Sequence, residues 1–139
     1  MEEGTITVEG TRIRYIAEGS GKALVLLHGY SFNSDDWFNS GIAQALARSY
    51  AVYAIDMPYG AKSKSDRMRA DARGYARFLG KLLDALALGE PAMVGPSMSG
   101  QVLLRYLTLG HLAAAVVVGP VGLGEFEAAE AGRVKTPLL

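Results

Sequence analysis

Residues 93–100 read Met-Val-Gly-Pro-Ser-Met-Ser-Gly, an apolar strand running straight into a turn of small residues around one serine. Gly95, Ser97 and Ser99 form a G-x-S-x-S version of the strand–turn–helix motif usually written G-x-S-x-G. Such a turn must be sharp enough to lift the serine hydroxyl clear of the sheet. Only small residues two places to either side let a helix start against the strand. Gly95 meets that need fully, and Ser99 meets it with one extra hydroxymethyl group. The chemistry such a serine could do is nucleophilic attack on a carbonyl. Gly-Pro-Ser is also ordinary turn chemistry, so the motif needs support from elsewhere in the chain.

That support begins at Leu26-Leu27-His28-Gly29-Tyr30-Ser31-Phe32, where a His-Gly pair ends a buried apolar run. The loop after it can aim a backbone N–H into the crevice above the strand. With the N–H of Met98, at the start of a helix, it makes a two-donor hole for a developing oxyanion. The loss of one such donor costs roughly 3–4 kcal/mol of transition-state stabilisation. The helix dipole acts favourably at the same place.

These residues need a rigid frame, and the hydrophobic pattern supplies one. Thr5–Val8 and Arg12–Ile16 alternate around Glu9-Gly10, which predicts an antiparallel hairpin with one solvated face. Residues 23–27, 51–55, 91–94 and 113–118 are continuous apolar runs, the mark of strands covered on both faces. Between them, Ile42 and Leu46 suggest a short helix. Tyr75, Leu79, Leu82, Leu83 and Leu86 share one helical face over residues 72–88, with Arg73, Arg77, Lys81 and Asp84 opposite. A further helix is expected from Gln101 to Leu109 and a short one over residues 125–131. Tyr30–Asp36 and Asp56–Asp66 read as loops, with Asp35 and Asp36 starting a turn before Trp37 and Asp56 fixing the loop that follows it. Thr136–Leu139 looks like the opening of another strand. Strands alternating with helices give a mostly parallel sheet, with ligands beyond the strands' carboxyl ends, where His28 and Ser97 both fall.

The 139 residues allow one domain with a real core, and half of them are hydrophobic. Net charge is zero, which gives no reason to expect a nucleic-acid or membrane-surface partner. The absence of cysteine excludes disulfides and thiolate-held metal. No metal cluster or cofactor motif is visible, neither G-x-G-x-x-G after an early strand nor a P-loop, so no cofactor is expected. The acidic start, Met1-Glu2-Glu3-Gly4, is not a secretory leader, and a cytoplasmic protein is the expectation.

With these residues in view, the chain resembles the α/β-hydrolase family over nearly its whole length. The hairpin, the strand into His28-Gly29, Trp37 after it, the Gly95–Ser99 turn (the family's nucleophile elbow), and Val134-Lys135-Thr136-Pro137 before a seventh strand all stand in the family's order. Ala54-Ile55-Asp56-Met57-Pro58 through Ser63 looks like the family's fourth-strand segment, often D-x-x-G-x-G-x-S. Only residues 121–134 separate the sixth and seventh strands, where larger members insert a lid. The resemblance implies a small, nearly capless serine esterase with an open site for small carboxylic esters. It implies Ser97 as nucleophile, Tyr30 and Met98 as backbone oxyanion donors, and His28 with Gly29 as support for the oxyanion loop. Pro96 stands where the family often has histidine, and Ser99 where glycine is typical.

The family's order continues from serine to acid to histidine. After Ser97 this chain has one histidine, His111, and the acids Glu125, Glu127 and Glu130. A helix of a dozen residues at 1.5 Å each puts His111 roughly 18 Å from Ser97, at the opposite edge of the sheet. The three glutamates read as a solvated helix face. Residues 1–139 are therefore expected to form a single incomplete domain, strands one to six and the start of the seventh. About 60 further residues, in a C-terminal segment or a second chain, would supply the acid and the base. The alternative is a non-catalytic binding or scaffold protein on the same fold, which needs no triad.

Overall fold

The computed structural model describes residues 1–139, the side chain of Glu125 excepted. Strands β1 (Glu2–Val8) and β2 (Thr11–Glu18) form the antiparallel hairpin. Glu9 and Gly10 both take positive φ, 49° and 81°, the primed turn whose twist matches the flanking strands. The remaining strands are β3 (Lys22–Leu26), β4 (Tyr50–Ile55), β5 (Ala92–Pro96) and β6 (Ala114–Val118). The sheet order is β1-β2-β4-β3-β5-β6, antiparallel through β1, β2 and β4 and parallel from β4 onward. This is the doubly wound α/β-hydrolase arrangement. Beside β6, Leu138 makes a parallel bridge to Ala115, and the Leu139 N–H donates to the Ala115 carbonyl at 2.9 Å.

The helices are α1 (Ser34–Asn39), α2 (Ile42–Leu46), α3 (Ala72–Ala85), α4 (Met98–Leu107) and α5 (Ala128–Ala131), with a 3₁₀ turn at Leu123–Glu125 before the last. They lie on both faces of the sheet. Leu24 and Leu26 of β3 pack with Phe38 and Ala43 of α1 and α2. Val25 and Leu27, pointing the other way, pack with Leu79, Leu82, Leu103 and Leu107 of α3 and α4. That alternation with both sides buried is why β3 reads as an unbroken apolar run. From β3 the chain goes first to β4 on one side, then crosses to β5 on the other. The loops after β3 and β5 therefore part, leaving a crevice at the switch point.

Three local expectations change. The stretch read as a loop up to Asp36 contains the first turn of α1, because Asn33 and Asp36 form a capping box: the Asn33 side chain accepts from the Asp35 N–H, and Asp36 accepts from the Asn33 N–H at 2.9 Å. Helix α3 stops at Ala85 rather than 88, because Ala87 turns left-handed (φ 55°) and the Leu88 N–H returns to the Leu83 carbonyl. Arg14, on the expected solvated face of the hairpin, is buried. Its guanidinium donates to Glu3, to Asp35 at 2.7 Å and to the fully buried Asp56 at 3.3 Å.

Candidate active site

Ser97 sits between β5 and α4 with φ 52° and ψ −120°. A non-glycine residue there is strained by about 1–3 kcal/mol and persists only where its surroundings impose it. Those surroundings are visible. The Ser97 N–H donates to the Val118 carbonyl at the end of β6, at 2.8 Å. The Ser97 carbonyl accepts from Gly100 and Gln101 as the first turn of α4. A Cβ on Gly95 would meet the Ser99 carbonyl oxygen at 2.8 Å, and one on Gly100 would meet the Gly95 carbonyl oxygen at 2.9 Å. Strand and helix thus touch backbone to backbone, and α4 begins at Met98, three residues earlier than periodicity predicts.

The half-buried Ser97 hydroxyl makes no hydrogen bond among the described residues. Nor does any described partner take up the N–H of Met98 or of Tyr30. Gly29 lies close by: a Cβ on it would stand 3.8 Å from the Ser97 Cβ. The arrangement brings together a hydroxyl on a strained bend and two uncommitted amide donors, with no general base among the described residues bonded to that hydroxyl.

His28 is buried behind this loop with both ring nitrogens engaged. Nε2 accepts from the Met57 N–H at 2.9 Å, so the proton is on Nδ1, which donates to the Gly29 carbonyl at 2.8 Å. Burial lowers its pKa, keeping it neutral. It ties the loop after β3 to the loop after β4 and has no lone pair to offer Ser97. Gly60 packs flat on the ring, where a Cβ would meet Cε1 at 2.5 Å.

Ser99, the departure from the usual glycine, has a partner on each side. Its buried hydroxyl donates to the His28 carbonyl and accepts from the Tyr59 hydroxyl. Burial pushes the Tyr59 phenol up, so it stays protonated. Sequence reasoning assigned neither role, since Tyr59 lies 40 positions away and carries no motif. Asp56 does fix its loop: it accepts from the N–H groups of Ser34 at 2.8 Å and Lys64 at 2.7 Å.

His111 lies beyond α4, exposed, with Nδ1 at 2.6 Å from Glu90. Both residues precede strands, at the sheet edge opposite Ser97. Glu130 is not on a solvated face: Arg105 donates to it, Arg73 lies 3.7 Å away, and the Arg105 bond holds its carboxyl below the usual range. Glu127 is exposed, and the side chain of Glu125 lies outside the described residues. Among the described residues no His, Cys, Asp and Glu group could hold a metal, and no helix is long and apolar enough to cross a membrane.

A family model described as alpha/beta hydrolase fold matches residues 22–133. The chain belongs to the α/β-hydrolase family. Among the relatives of this hydrolase chain is a human protein named "Putative protein-lysine deacylase ABHD14B", 39% identical in an alignment covering all of this chain and 71% of that protein. Human "Protein ABHD14A" is 34% identical over 84% of this chain and 44% of its own length. A "predicted CIB-like hydrolase" from Thermoplasma acidophilum superposes with a TM-score of 0.85 at 23% identity, covering 99% of this chain and 70% of that one. An alpha/beta hydrolase fold protein from Burkholderia ambifaria has a TM-score of 0.73 at 31% identity, with 86% of this chain matched to 44% of that one. The hydrolase chain thus spans between two fifths and seven tenths of these proteins.

Proposed function

We propose that this chain carries the nucleophile and oxyanion donors of a serine hydrolase that transfers acyl groups through Ser97. The Ser97 Oγ attacks the acyl carbonyl, and its proton passes to a general base. Negative charge gathers on the carbonyl oxygen, where the Tyr30 and Met98 N–H groups can donate to it. When the carbonyl re-forms, the alcohol or amine leaves with that proton, and water releases the acyl group from Ser97 in a second such cycle. Small carboxylic esters are one substrate class. Acylated lysine side chains are a second, suggested by the deacylase name of the ABHD14B relatives. The observation that carries the reading is the positive φ of Ser97 beside two uncommitted amide protons.

The base and its acid partner come from residues outside this sequence, following the strand that Thr136–Leu139 opens or borne on a second chain. Neither histidine here can serve: His28 is fully bonded and His111 faces the wrong edge. That same fact favours the second reading, a non-catalytic member of the fold. Fluorophosphonate labelling separates them. Covalent label that disappears in Ser97→Ala is expected. No label on any form carrying the downstream segment makes the protein a scaffold.

A further inference from the structure

Helix α3 carries Arg73, Arg77 and Lys81 at successive turns of its exposed face. Like charges four residues apart destabilise a helix, and Arg73, in the first turn, also opposes the helix dipole. Lys81 is relieved by Glu9, whose carboxylate lies 2.5 Å from its Nζ. Arg77 has no such relief: its side chain makes no hydrogen bond or ion pair among the described residues. Arg73 and Arg77 instead face a cleft of about 370 Å³, which Arg105 of α4 and Arg133 after α5 also line. The exposed Arg133 side chain is likewise unpaired among the described residues. Four arginines against two glutamates, Glu127 and Glu130, leave a surplus of two positive charges here, in a chain whose overall charge is zero. Glu130 is already committed, since it accepts from the buried Arg105 and lies 3.7 Å from Arg73. Glu127, the cap residue of α5, is exposed and pairs with no arginine among the described residues.

We infer that the cleft between α3, α4 and α5 is a binding site for the diphosphate group of a small ligand, held by Arg77 and Arg133 with Arg73 beside them. No residue lines both this cleft and the one beside Ser97, so the site stands apart from the nucleophile. A guanidinium presents its N–H groups as a planar fork that matches two oxygens of a phosphate. The two unpaired forks come from different elements, one on α3 and one after α5. The second is placed by the buried pair: Glu130 bonds to Arg105 of α4, and its carbonyl accepts from the Arg133 N–H at 3.0 Å. A single carboxylate satisfies one fork. Two linked phosphoryl groups offer a pair of oxygens to each fork and carry more than one negative charge, which matches the surplus. Such an anion also relieves the repulsion along α3 that the free chain carries.

Calorimetric titration of the protein together with its downstream segment tests the site, with inorganic phosphate, inorganic diphosphate and citrate as probes at matched ionic strength. Saturable binding of one diphosphate is expected, at least about tenfold tighter than phosphate or citrate. Citrate bound as tightly as diphosphate overturns the assignment. So does the absence of saturable diphosphate binding, including where downstream residues fill the cleft. The double variant Arg77→Gln with Arg133→Gln is expected to weaken diphosphate binding by at least about tenfold. If it does not fold, each single variant is expected to lose about three- to tenfold by the same titration. Arg48→Gln, an exposed arginine outside the cleft, is expected to bind like the parent. Glu127→Gln removes a negative charge from the lining and is expected to tighten binding about two- to fivefold. A folded double variant that binds like the parent, or a loss in Arg48→Gln equal to that of the double variant, places the anion elsewhere and defeats the proposal. A nucleoside diphosphate is titrated alongside. Tighter binding than free diphosphate upholds the site with an organic diphosphate as its ligand, and equal binding upholds it with the diphosphate group alone recognised.

Discussion

Arg14 ties four segments around the crevice with charges, and Ser99 ties three with hydroxyls. Arg14 reaches Glu3 on β1, Asp35 on α1 and Asp56 after β4. Ser99 reaches the His28 carbonyl after β3 and Tyr59 after β4 from its own place in α4. The charged knot stands behind the loops and fixes where they leave the sheet. The neutral knot stands beneath Ser97 and fixes how α4 meets the loop bearing Tyr30. A buried charge left alone is costly, so the first is strong and vulnerable to loss of either partner. A hydroxyl pair contributes less, but nothing in it titrates between acid and neutral pH. The difference assigns robustness to the part nearest Ser97.

The largest effect is expected on breaking the charged knot. Arg14→Met leaves Asp56 buried with only amide donors and is expected to destabilise the fold by about 3–5 kcal/mol, measured by urea unfolding. Next, Ser99→Ala removes the partner of the His28 carbonyl and of the Tyr59 hydroxyl. A loss of about 1–3 kcal/mol is expected, and a loss near zero would mean that the two loops hold without it. Tyr59→Phe removes one donor and keeps the Ser99 bond to His28, so about 1 kcal/mol is expected by the same measurement.

Acid then separates the two knots. Hydrogen bonds from Arg14 and Lys64 hold the Asp35 carboxyl below the usual range. Its contribution is present above the unfolded value of roughly 3.9 and is lost as pH falls through the lower folded value. Unfolding midpoints of the parent and Arg14→Met are expected to converge below about pH 4. The deficit of Ser99→Ala is expected to stay constant from there to neutrality. Tyr59 is raised by burial, so its protonated form persists and its contribution falls only above the ordinary phenol range near pH 10.

Much of this frame is legible in residue order. Continuous apolar runs mark β3 to β6, alternation marks the hairpin, and the ends of β3 and β5 locate His28 and Ser97. The α1 helix was also legible, through Asn33 and Asp36, since a capping box is a local signal. Arg14 was not. Its alternation with Arg12 places it on a polar face, and only the long-range acids Asp35 and Asp56 make that face interior. The Ser99–Tyr59 bond and the Arg105–Glu130 pair are hidden for the same reason: each joins residues that share no element and no period. Ser99 reads as a tolerated defect in a motif, yet its extra oxygen is bonded on both sides. Local chemistry shows where the backbone bends, whereas the partners of buried polar groups emerge only when the sheet brings distant loops together.

The amide of Ser97 is held by Val118, at the end of β6, the strand that follows α4. The neighbouring strand β5 in turn docks on β3, pairing Leu24 with Ala92 across the three helices α1 to α3 and strand β4 that intervene in the sequence. Contacts so distant along the polypeptide form late, after the nearby hairpin and helices have condensed. The bend that carries the hydroxyl is therefore among the last features to take shape during synthesis. A ribosome-bound chain halted before Val118 lacks the acceptor for that amide, and its serine rests in relaxed backbone until β6 arrives.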